Sequence, residues 1–182
     1  MSDPVSALNG ASYAGFANVR EIGPLGMISL RHKGGSALAR AVKAAVGTKV
    51  PAQRRIEMAK GRACGWMSPD EYLLVLPYAE VATAMAALAK ALEGEHHLAA
   101  DVSDARAVFR VEGEKASQVL AKLSPVDFDK LEPGELRRSR AAQVAAAMWA
   151  QDGGFTVVCF RSVAGYVMGL LTHSAQPGSE LG

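Results

Sequence analysis

The sequence is short of the residues that usually announce chemistry. Its 182 residues include two cysteines and four histidines. Cys64 stands beside Gly65 and Cys159 lies in an apolar run, so they form neither a C-x-x-C pair nor a disulfide framework. Such usage points to a reducing, cytoplasmic setting. No apolar run approaches the roughly 20 residues that a membrane helix requires. The opening residues, with Asp3 and Pro4, lack the basic and apolar regions of a secretory leader. Lys and Arg total 20 against 18 Asp and Glu, which excludes the concentrated positive face of a typical nucleic-acid binder. Gly34-Gly35 and Gly153-Gly154 lack the further glycines and the Lys-Ser/Thr of a phosphate loop and read as turns.

The titratable residues that are present do not assemble a reactive centre by spacing. His96 and His97 are adjacent and point apart, with no Cys or carboxylate at ligand spacing, so a zinc site is not expected. His32, inside Arg31-His32-Lys33, and His173, near the C-terminal end, read as surface residues. Asp101, Ser103 and Asp104 read as turn formers and partners for Arg106. A hydrolase triad would need a histidine beside one serine, and the sequence places none there. Arg137, Arg138 and Arg140 make the densest basic cluster, read as a solvated face or a docking patch. Aromatics around it are too few for the stacking platform of a single-stranded nucleic-acid site.

What is present is a pattern of secondary structure centred on GWMSPDEYLLVLP, residues 65–77. Glu71 to Leu76 is an unbroken apolar run between prolines, which predicts a strand buried on both faces. Gly65 to Asp70 predicts a loop in which the Trp66 ring needs a groove or a partner to cover it, or else closes a hairpin onto the core. Upstream, Met27 to Arg31 alternates as a strand, Ser36 to Val46 carries helical spacing ended by Gly47, and Arg54 to Ala59 alternates again. Val81 to Leu92 forms an Ala-rich helix with one apolar face. The order is βαββα. The second half repeats it: strand 106–111, helix 116–123, a strand pair over 141–150 and 155–160 around Asp152-Gly153, and a helix from Ser162 to Leu171.

The expected fold is therefore α+β, with pseudo-duplicated βαββα units, antiparallel or mixed sheets, and helices packed on one side. The expected organisation is an N-terminal arm over residues 1–22, one domain over 23–173 and a disordered tail over 174–182. The arm carries Tyr13 and Phe16 without a sustained period, which suits a segment that wraps its own domain or lies across a partner.

An ordered set of residues also resembles the gamma subunit family of heterotetrameric sarcosine oxidase. The set runs from Pro24-Leu25-Gly26-Met27 through Gly65-Trp66 with Pro69-Asp70-Glu71 and Asp101-Val102-Ser103-Asp104-Ala105-Arg106. It continues with Gly113, Ala116 to Leu120, Pro125 to Asp127, Pro133-Gly134 and Phe155 through Arg161-Ser162 to Tyr166. Ser124 departs from the family, where a cysteine is frequent, and the Gly134 to Arg140 segment lacks the Thr-containing pattern expected there.

The resemblance implies the fold of the aminomethyltransferase folate-binding domain. It implies a complex that oxidatively demethylates sarcosine to glycine, with alpha, beta and delta subunits as partners. FAD, FMN, NAD, zinc and tetrahydrofolate are implied for those other subunits and no cofactor for this chain. The expected role is a non-catalytic subunit without nucleic-acid or membrane partners, with Tyr13, Phe16, Trp66, Arg137, Arg138 and Arg140 as contact candidates. A stand-alone folate-binding one-carbon transferase or folate sensor is the alternative, and an RNA-contacting module resting on Arg137 to Arg140 a third.

Overall fold

Strands of alternating or wholly apolar residues can bury themselves only by pairing, and here hairpins between consecutive strands combine with long-range pairings. The computed structural model describes residues 3–181. Among these it forms eleven strands and four α-helices: β1 (Ser12–Ala14), β2 (Asn18–Ile22), β3 (Leu25–Arg31), α1 (Ser36–Val46), β4 (Ile56–Ala59), β5 (Arg62–Ser68), β6 (Glu71–Pro77), α2 (Val81–Ala91), β7 (Leu98–Asp101), β8 (Arg106–Glu112), α3 (Ala116–Ala121), β9 (Leu136–Ala141), β10 (Val144–Gln151), β11 (Gly154–Phe160) and α4 (Ala164–Ser174). The chain divides into two compact units, one of Leu25–Ser103 and one of the segments ending at Pro24 and beginning at Asp104.

In the continuous unit the sheet order is β4-β5-β6-β3-β7, and every neighbouring pair is antiparallel. Ile28, Leu30, Cys64, Leu74 and Leu76 share the sheet face that meets Leu38, Ala41 and Val42 of α1 and Val81, Ala84 and Leu88 of α2. Each fully buried Leu, Ile or Val of this kind contributes about 1.5–3 kcal/mol. Helix α1 ends as its sequence predicts, with Gly47 at φ 73° donating its N–H to the Lys43 carbonyl at 3.0 Å. At its start Gly35 is the capping residue and Ser36 the first helical one.

The other unit has the order β1-β2-β8-β11-β10-β9, again antiparallel throughout. Its core sets Phe109, Val111, Met148, Phe155 and Val157 against Val119 and Leu120 of α3 and Val167 and Leu171 of α4. Phe128 meets Phe155 edge to face with ring centres 5.3 Å apart.

The repeat anticipated from the sequence is present and has one more strand than expected. β3-α1-β4-β5-β6-α2 matches β8-α3-β9-β10-β11-α4, and the four repeat strands occupy the same order in both sheets. β5 was hidden because Gly61 and Gly65 make its sequence look like a loop, and β9 because Leu-Arg-Arg-Ser-Arg-Ala shows no apolar alternation. The fifth strand of each sheet is exchanged: β2 leads directly into β3 but pairs with β8, while β7 leads towards β8 but pairs with β3.

Three expectations about organisation need restating. Ser12–Ala14 and Asn18–Ile22 are strands of a sheet, so part of the segment read as an arm is sheet. The span read as one domain over 23–173 separates into the two units above. Residues 174–181 are held in place, since Lys122 donates to the carbonyls of Ser174, at 2.7 Å, and of Ser179. Met1, Ser2 and Gly182, included in the expected arm and tail, lie outside the described residues.

Candidate partner-contact surfaces

Trp66 sits on β5 in a strand hairpin. It faces Tyr72 across the β5–β6 ladder, with a register shift between Trp66 and Ser68; Gly65 to Ser68 are strand rather than the loop expected there, and only Pro69 and Asp70 turn. The backbone N–H of Trp66 donates to the Arg55 carbonyl at 2.9 Å, and the half-buried indole packs on the core of its own unit. The hairpin-closing reading of Trp66 is thus the one the geometry favours. Tyr72 beside it is buried, and burial, with Cys64 and Asp70 nearby, holds its phenol above the usual range.

Tyr13 and Phe16 are half-buried against the core of the unit that contains β2. Gly15 lies between them in sequence, and a β-carbon there would collide with the Ala175 carbonyl and approach the Tyr13 ring to 2.9 Å. Phe16 donates its N–H to the same Ala175 carbonyl at 2.9 Å, and its ring lies 4.9 Å from the Lys122 ammonium. Preceding residues are held by Glu21, a buried carboxylate on β2. It accepts the Ser6 hydroxyl at 2.8 Å, the Leu8 N–H at 3.0 Å and the Gly10 N–H at 2.9 Å. Arg161 adds hydrogen bonds to the Val5 and Ser6 carbonyls. The sequence offered no signal for this clamp, because residues 6–10 and Glu21 are neither periodic nor adjacent.

The three arginines lie on β9, an edge strand of the six-stranded sheet, and the strand splits them by face. Arg137 pairs with Glu135 at 3.1 Å, while Arg138 and Arg140 point to the other face and are exposed. Charged side chains on an edge also discourage unwanted strand pairing. On the face shared with Arg138 and Arg140, Arg110 is 7% exposed at its side chain. It donates to Thr156 Oγ1 at 3.0 Å, to the Gln151 and Asp152 carbonyls at 3.1 Å each, and to Glu112 at 3.2 Å. This buried cation holds the β10–β11 turn, in which Asp152 and Gly153 both have positive φ. Arg110 lies on the strand face opposite Phe109 and Val111, which point into the core.

His32 is buried, against the surface position expected, because its N–H donates to the Asp70 carbonyl and its ring accepts from Gly34 N–H, both at 3.0 Å. Asp101 accepts from the Ser103 N–H at 3.0 Å and hydroxyl at 2.5 Å, the turn-forming role anticipated for it. Both cysteines are buried and unpaired. Burial raises the Cys64 thiol far above its usual range and pushes Cys159 up to about 11, so neither is a ready thiolate. Among the described residues no group of three His, Cys, Asp or Glu is arranged to hold a metal, and no helix is long and apolar enough to cross a membrane.

Three kinds of comparison bear on this arrangement. The model of the sarcosine oxidase, gamma subunit family matches residues 32–175. A sarcosine oxidase subunit gamma from Arthrobacter sp is 36% identical over 124 residues, 67% of this chain and 60% of the relative. One from Corynebacterium sp. (strain P-1) is 35% identical over the same shares. The match therefore spans 60% of the length of these curated relatives. Among solved structures, the heterotetrameric sarcosine oxidase from Corynebacterium sp. U-96, in complex with pyrrole 2-carboxylate, superposes with a TM-score of 0.80 at 25% identity, over 90% of this chain and 87% of that one. The glycine cleavage system aminomethyltransferase T from Bartonella henselae superposes at 0.64 with 13% identity, over 86% of this chain and 45% of that one.

Proposed function

The chain belongs to the sarcosine oxidase gamma subunit family, and from that premise we propose that it is a non-catalytic structural subunit of a heterotetrameric sarcosine oxidase. The observation that carries the reading is the superposition, over 90% of the chain, on a chain of the heterotetrameric enzyme from Corynebacterium sp. U-96. The complex oxidises the N-methyl group of sarcosine, reduces oxygen to hydrogen peroxide and yields glycine, with the one-carbon unit leaving as formaldehyde or as 5,10-methylenetetrahydrofolate. The alpha, beta and delta subunits are the partners, and FAD, FMN, NAD, zinc and tetrahydrofolate belong to them.

In this role the chain acts through its surfaces. Arg138 and Arg140 present the most accessible side chains among the six contact candidates, and their charge suits an acidic partner face. Tyr13, Phe16 and Trp66 act mainly by shaping the surface from beneath, since each is half-buried against its own unit.

Co-purification from the native host tests the reading. The expected result is flavin-bearing subunits in fixed stoichiometry with this chain, and a purified chain that is itself colourless. Recovery of the chain alone, or a stoichiometric flavin spectrum from it, would overturn the proposal. The likeness to aminomethyltransferase concerns fold, which does not carry function with it. Saturable micromolar binding of tetrahydrofolate by the isolated chain would favour the folate-binding alternative instead.

A further inference from the structure

Three of the four histidines, one of them far in the sequence from an adjacent pair, line one groove. His32, His96 and His97 line a half-open space of about 400 Å³ within the unit Leu25–Ser103. Two different segments supply them, the end of β3 and the loop before β7. Their rings are not equivalent. His32 Nδ1 accepts the Gly34 N–H at 3.0 Å, so the proton of the neutral ring is on Nε2. His97 Nδ1 lies 2.9 Å from the Glu95 carbonyl, which can only accept, so Nδ1 is the donor there.

Arg31 and Lys33, on either side of His32 in sequence, also line the groove, and both side chains are exposed. The single carboxylate in the lining, Asp70, accepts the Ser68 hydroxyl at 3.1 Å. Two further acids stand outside the lining: Glu71 lies 3.5 Å from Arg31, and Glu95 lies 3.8 Å from His32 Nε2. The lining thus sets two permanent cations against one carboxylate. Leu98, 55% exposed, supplies an apolar wall.

We propose that this groove is a binding site for a small oxyanion group, a phosphate, sulfate or carboxylate head. Its volume lies in the range of small-molecule sites, and charged N–H donors to an oxyanion give the strong class of hydrogen bond. This site is independent of the subunit role proposed above.

The test uses the full chain, isotopically labelled, titrated with sodium sulfate against sodium chloride at matched ionic strength and followed by NMR. Saturable shifts are expected at His96, His97 and the amides of residues 31–34. Affinity should fall about tenfold in an Arg31→Gln/Lys33→Gln variant, the scale of a lost charged hydrogen bond. His96→Gln/His97→Gln, which takes two rings out of the lining, should weaken binding as well. All four positions are at least partly exposed, and circular dichroism checks that each variant stays folded. Shifts that follow ionic strength alone, or an affinity untouched by the arginine and lysine changes, would overturn the proposal.

Discussion

Glu21 accepts the backbone N–H of Leu8 at 3.0 Å with its buried carboxylate. The same side chain also receives Ser6 and Gly10, so it faces donors only. Glu21→Gln would turn an amide NH2 towards one of these donors and remove the charge that strengthens the rest. A loss of about 1–3 kcal/mol is expected, the cost of leaving buried polar groups unmatched. Chemical denaturation measures it, and hydrogen exchange should show the Leu8 and Gly10 amides losing protection first.

Lys122 plays the equivalent part at the other end of the chain, reaching the carbonyls of Ser174 and Ser179 while its ammonium lies over the Phe16 ring. Lys122→Met keeps much of the stem and deletes the charge. The expected result is faster proteolytic cleavage within residues 176–181, with the rest of the domain resisting as before. Unchanged cleavage would show that the tail is held by other contacts.

Gly26 lies in β3 where a β-carbon would run into the Val81 side chain and sit 3.1 Å from the Leu76 and Pro77 carbonyls. Gly26→Ala should therefore destabilise by about 1–3 kcal/mol through overpacking. Val81→Ala, combined with it, removes the main clash. The double variant should be more stable than the sum of the single effects predicts, by about 0.5 kcal/mol or more. Strict additivity would refute the contact as the cause.

Two buried serines should respond in opposite ways. Ser103 accepts the Met27 N–H at 3.0 Å and donates to Asp101, so Ser103→Ala is expected to cost about 1–3 kcal/mol by stranding a buried donor. Ser124 Oγ is buried and has no hydrogen-bond partner. Ser124→Ala removes an unsatisfied polar atom and should leave the melting temperature unchanged or raise it. A fall as large as that of Ser103→Ala would reveal a partner for the hydroxyl.

The Arg20–Glu112 pair, 3.0 Å apart, carries a pH signature. The hydrogen bond from Arg20, supported by Arg110, holds the Glu112 carboxyl below the usual range. A depressed carboxylate stabilises the fold above its unfolded value, about 4.3, and that contribution is lost as pH falls through the folded value. Arg20→Gln should thus lower stability near neutral pH, by less than about 1 kcal/mol because Arg20 is half exposed, and the difference from the parent should vanish in acid. Thermal melts across that range measure it.

How much of this was legible beforehand follows from the range of each interaction. The helices α1 to α4 and the strands β3, β4, β6, β8 and β11 are written in local spacing, because a helix or strand with one or two buried faces must repeat its apolar residues at 3.6 or 2. The doubling of the unit could be read from the order of those elements, and family membership from the ordered residues between Pro24 and Tyr166. The arginines of β9 could be listed but not sorted, since which face each occupies depends on a ladder with β10 that their own letters do not signal.

Tertiary structure alone decided the rest. Asn18 to Ile22 pairs with Val108 to Glu112 although β3 follows directly, and nothing in five residues specifies a partner some ninety positions away. Glu21 collecting the amides of Leu8 and Gly10 joins residues that share no local pattern, Arg110 closing a distant turn follows from the β8–β11 ladder, and His32 reaching the groove of His96 and His97 follows from the pairing of β3 with β7. Local pattern sets which elements form, because it acts through neighbours along the chain. Which side chains then meet is set by sheet register, and register is a property of pairs of strands.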